Sequence, residues 1–95
     1  MIMWTMELQF LRDQLDEIDH TLEEKFAERM QIAEKIGAYK RDHDLPTFDA
    51  EREAEVIAKH TEGQPEELRP YMEEFFRSVM ALSRQLQDDQ KSEDL

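Results

Sequence analysis

Arg29 and Lys40 stand on the stripe Leu8, Leu11, Leu15, Ile18, Leu22, Phe26, Arg29, Ala33, Ile36, Lys40, whose alternating steps of three and four mark one long amphipathic helix. They are cations where the pattern calls for hydrophobes, and a buried cation is costly unless an anion meets it. The pair therefore predicts a buried site for an anion. Eleven helical residues make three turns within ~20° and a rise of ~16 Å, so two long side chains leaning together can hold one small molecule. Arg12 flanks the same stripe but lies ~25 Å along the axis and ~100° around it from Arg29. One metabolite cannot touch both from a single helix, so a binding role for Arg12 requires another pocket, most simply that of a second subunit.

Four further residues carry polar chemistry. Arg52 and Glu53 fall in the first turn of a second helix, where Arg52 alone reads as a surface arginine and Glu53 as an acid favoured by the helix dipole. Ser83 and Gln87, four apart, share the apolar face of a third helix with Met72, Phe75, Phe76, Val79 and Met80. Read singly, Ser83 bonds back to a helix carbonyl and Gln87 reaches solvent near the helix end. Taken with Arg12, Arg29 and Lys40, these residues supply four cations, neutral donors and one carboxylate. They include no nucleophile beside a base, no metal-ligand set and no glycine-rich phosphate loop. His20, His43 and His60 lack mutual metal spacing, and the methionines read as gap-filling core. The set suits a small dicarboxylate carrying a hydroxyl, bound without metal or cofactor.

The elements that must position these groups are helices. The first is expected from about Thr5 to Asp42, because Pro46 and the aperiodic His43–Phe48 stretch end it. The second is expected to start at the N-cap Asp49 and run to about Thr61, before Gly63. The third is expected to open at Arg69-Pro70 and to end near Asp88, leaving an acidic tail over 89–95. No strand alternation or internal repeat is visible, so the expected fold is all-α, three helices in one domain over 1–95. A compact chain of this length is ~32 Å across, whereas the first helix would be ~57 Å long. Its own chain cannot cover it, which predicts an intertwined helical homodimer with paired N-terminal helices and Trp4 packed at the dimer end.

The chain has 95 residues, 38% charged, with two glycines and three prolines, which fits one helix-rich domain rather than a disordered tail. The absence of cysteine excludes a disulfide framework and thiolate chemistry. A net charge of −12 argues against nucleic acid, whose binding needs a basic surface, and reads as a solvated exterior. The opening Met-Ile-Met-Trp-Thr-Met is too short for a span and has no basic region before it, so neither a membrane segment nor a signal peptide is expected, and the expected location is cytoplasmic.

Leu11-Arg12-Asp13-Gln14-Leu15-Asp16-Glu17-Ile18-Asp19 and Glu28-Arg29-Met30 through Gly37-Ala38-Tyr39-Lys40 closely resemble the first helix of the all-helical AroQ class of chorismate mutase. Pro46-Thr47-Phe48-Asp49-Ala50-Glu51-Arg52-Glu53 resembles that family's loop and second-helix start, and Phe76 through Gln87 its last helix. The likeness covers roughly Leu8 to Gln87 in order, with a somewhat shorter connection between Arg52 and the third helix.

The resemblance implies a fold, a reaction and residue roles. Chorismate would rearrange to prephenate by a concerted [3,3] shift, in aromatic amino-acid biosynthesis. Arg12 would be donated across the dimer, while Arg29 and Arg52 clamp the two carboxylates. Lys40 and Gln87 would donate to the ether oxygen of the breaking bond. Glu53 would accept from the ring hydroxyl with the backbone amide of Asp49 assisting, and Ser83 would bond a carboxylate. Such catalysis needs positioning and fixed donors, not an acid, base or nucleophile. Two alternatives stand beside it: an isochorismate-pyruvate lyase of the same fold, which Asp49, Glu53 and Ser83 disfavour, and a non-catalytic dimeric helical scaffold, which should tolerate leucine at Arg29 and Lys40.

Overall fold

A computed structural model describes residues 2–93 of the chain, with side chains from Thr5 onward. The side chain of Trp4, expected at a dimer end, and the last two residues of the expected tail lie outside the described residues. Three helices make up the fold: α1 (Ile2–Asp42), α2 (Ala50–Thr61) and α3 (Arg69–Glu93), with no strand among the described residues. The chain divides into two compact units, one up to Gln31 and one from Ile32 on, which are taken in turn.

The first unit is helix throughout its described length. Its sequence offers no glycine or proline to break it, so the helix begins at Ile2 rather than near Thr5 as expected. Its polar side is tied along the axis by Gln9 to Asp13 at 2.9 Å, His20 to Glu24 at 3.0 Å and Lys25 to Glu28 at 3.2 Å. Each such pair contributes a few tenths of a kcal/mol. The apolar side is uncovered: Leu11, Leu15 and Ile18 are all at least half exposed, and Leu8, Leu22 and Phe26 are also exposed. Contiguous apolar surface of this kind marks an interaction face.

The second unit packs α2 on α3 and sets the last turns of α1 against α3. α1 ends in a Schellman turn, with Leu45 N–H bonding Lys40 C=O at 2.8 Å and Asp44 N–H bonding Arg41 C=O at 3.3 Å. Asp44 takes the left-handed conformation (φ 54) that a glycine more often supplies. α2 starts as expected, the Asp49 carboxylate accepting from Arg52 N–H at 3.0 Å. It ends without a left-handed glycine: Gly63 has no positive φ, and Glu62 and Gln64 N–H groups bond back to Ala58 and Thr61.

α3 corrects the expected tail. Instead of stopping near Asp88 it continues to Glu93. Nothing in Asp89–Glu93 breaks a helix, Gln85 reaches Asp89 at 2.9 Å, and Lys91 suits the negative end of the dipole. The buried side chains are few. Ala33, Val56, Val79 and Met80 form the apolar core, joined by the polar Ser83 and Gln87.

Candidate active site

The polar members of that core define the site. Gln87, 7% exposed, does not reach solvent: its Nε2 donates to the Ala33 carbonyl at 2.9 Å, 54 residues away in sequence. A carbonyl can only accept, so this bond fixes which end of the amide is nitrogen. The nitrogen carries two N–H groups, and the anchor leaves the second as a donor whose orientation is already set. One helical turn earlier, Ser83 is buried and donates back to Val79 C=O at 3.0 Å, the local bond that its helical position invites.

Such close packing of Gln87 on α1 depends on Gly37. A Cβ built there would stand 2.9 Å from Gln87 Cγ and 3.4 Å from Gln87 Cβ. Alanine is the better helix former by about 1 kcal/mol, yet Gly37→Ala would push Gln87 off the Ala33 carbonyl. We expect a net loss of about 1–3 kcal/mol, read as a lower urea midpoint, because overpacking outweighs propensity here. A more stable variant would show that Gln87 is not held against α1.

Lys40 lies beside Gln87. The half-buried ammonium donates to the Thr47 carbonyl at 2.7 Å, holding the loop that follows α1. Lys40 and Gln87 line one cleft of about 510 Å³ with Gly37, Arg41, Asp44, Thr47 and Lys91. That volume falls within the range of small-molecule sites. The cleft carries three cations against one carboxylate, inside a chain of net charge −12. It is an anion-favouring exception on an acidic protein.

The other candidates do not line that cleft. Arg52 is exposed on α2 and pairs with Glu55 at 3.2 Å, as the surface reading has it. Glu53, whose side chain is 21% exposed, lines a second hollow of about 340 Å³ with Phe48, Ile57 and Arg77. The loop from Pro46 to Phe48 contributes to both, Pro46 and Thr47 to the first and Phe48 to the second. In the first unit Arg12 is exposed and Arg29 half-buried. Among the described residues no cluster of three or more His, Cys, Asp or Glu could hold a metal ion.

The family model for chorismate mutase type II matches residues 11–88. The chain belongs to the type II chorismate mutase family. A T-protein of Enterobacter agglomerans is 33% identical over 88 residues, which is 87% of this chain and 23% of that protein. A T-protein of Haemophilus influenzae is 34% identical over 50 residues, 53% of this chain and 13% of that protein. The chain thus spans less than a quarter of the length of these curated relatives. No solved structure matches it with significance.

Within this mutase-family chain, four residues went unnoticed in the sequence: Gly37, Arg41, Arg84 and Lys91. Gly37 had a visible signal, a lone glycine one residue past Ile36 in an otherwise unbroken helix. Lys91 was hidden in the expected tail. Arg41 and Arg84 are set by tertiary neighbours, and no spacing rule singles them out.

Proposed function

We propose that this chain catalyses the rearrangement of chorismate to prephenate in aromatic amino-acid biosynthesis, as a cytoplasmic homodimer without cofactor. The observation that carries the reading is the placement of Lys40 and Gln87 in one cationic cleft, each already anchored by a backbone carbonyl. The breaking ether bond accumulates negative charge on oxygen, and preoriented donors stabilise it without reorganising. Lys40 has three N–H donors and Gln87 has one to spare. Arg29 and Arg52 would bind the substrate carboxylates and Ser83 would bond one of them. Glu53 and the Asp49 amide would take the ring hydroxyl, and the loop Pro46–Phe48, which lines both hollows, would border the substrate. Binding both carboxylates holds a flexible substrate in its compact reactive shape.

The exposed apolar side of the first unit supports the dimer. A second copy, carrying the same face, would cover it by an isologous contact. Arg12, at the edge of that face, would then serve the partner's site. The test of function is direct: purified protein should consume chorismate, followed by its absorbance, and yield prephenate, identified by mass. A folded chain that leaves chorismate unchanged overturns the reading, and release of pyruvate from isochorismate would replace it with the lyase.

A further inference from the structure

Arg84 lies between Ser83 and Gln87 on α3, and its side chain turns toward the start of α2 rather than to solvent alone. Its Nε is 2.9 Å from Glu53 Oε2, and its guanidinium carbon is 5.0 Å from the centroid of the Phe48 ring. The buried Nε–H is not aligned on that oxygen, so the contact is an ion pair rather than a formed hydrogen bond. Phe48 and Glu53 occupy the N′ and N4 positions around the Asp49 cap. Many helices pair two apolar side chains at those positions as a staple. In this chain a cation from another helix bridges them, meeting the ring by its face and the acid by its charge.

We propose that Arg84 is the positioning residue of Glu53. Resting on the mutase reading, the assignment gives it two effects. It fixes the Glu53 carboxylate through one oxygen, leaving the other to accept from a substrate hydroxyl. It also balances the Glu53 charge, so an acid can stand near a doubly anionic substrate without repelling its carboxylates. Part-buried pairs are screened less than surface ones, and the Glu53–Arg84 pair is part-buried, at 21% and 37% side-chain exposure.

The test is a double-mutant cycle with kcat and KM for chorismate measured on wild type, Arg84→Gln, Glu53→Gln and the double variant, with Arg84→Lys as the charge-keeping control. Arg84→Gln should raise KM on the order of tenfold at low salt, a typical coupling for charges in contact, and less at high salt. Adding it to Glu53→Gln should change KM less than about twofold, because the charge it balances is gone. Arg84→Lys should recover most of the loss. An equal KM penalty in both backgrounds, or a lowered melting temperature with KM unchanged, would reduce Arg84 to a ligand of its own or a fold contact and overturn the assignment. Absence of turnover in the wild type would remove the mutase reading itself and this assignment with it.

Discussion

Lys40→Ala should slow chorismate conversion by about 10²–10³-fold, the usual cost of removing one preoriented donor to a developing oxyanion, while the protein stays folded. The argument is geometric. The Lys40 ammonium is half-buried, lines the cationic cleft with Gln87, and is held at 2.7 Å by the Thr47 carbonyl. Losing that single bond should cost stability only about 1 kcal/mol, because the loop keeps the Leu45 and Asp44 bonds of the Schellman turn and the Asp49 cap. Catalysis and folding therefore separate in this variant, and a thermal melt recorded beside the kinetics reads both. A rate within threefold of wild type would remove Lys40 from the chemistry.

The second large effect is a recovery. Arg12→Ala and Lys40→Ala should each be nearly inactive alone, yet mixing them by unfolding and refolding together should restore about a quarter of wild-type activity. Half of the dimers formed at random pair one chain of each kind, and in a two-fold symmetric pair only one of their two sites carries both Arg12 and Lys40. Recovery requires that Arg12 act in its partner's site. An Arg12 that served its own chain would leave every site in the mixture lacking one residue, and no activity would return. The measurement needs only equal protein amounts and the absorbance assay.

How much of this was legible in the sequence depends on how far each feature reaches. The helices followed from unbroken period and from Pro46 and Asp49, whose effects act within a few residues. The end of α3 did not, because a run of charges reads as tail when the side-chain bond from Gln85 to Asp89 is out of sight. For Gln87 the spacing placed it on the apolar face and left burial open. Its bond to Ala33 belongs to the packing of two helices far apart in sequence. Gly37 is explained only by that packing, and Arg84 only by its approach to Glu53 and Phe48. Residue types were visible from the start, whereas which acid meets which base was fixed by tertiary structure.

Among the described residues only Ala33, Val56, Val79 and Met80 are apolar and buried, against a long uncovered stripe on α1. Many of the large apolar side chains are left exposed, so burial within one protomer does little to offset its ordering. In the proposed dimer, folding and association would become one second-order process. Its unfolding midpoint should climb with protein concentration, and dilution alone should inactivate it. The amount synthesised then sets how much of each chain is folded, as well as how much enzyme there is.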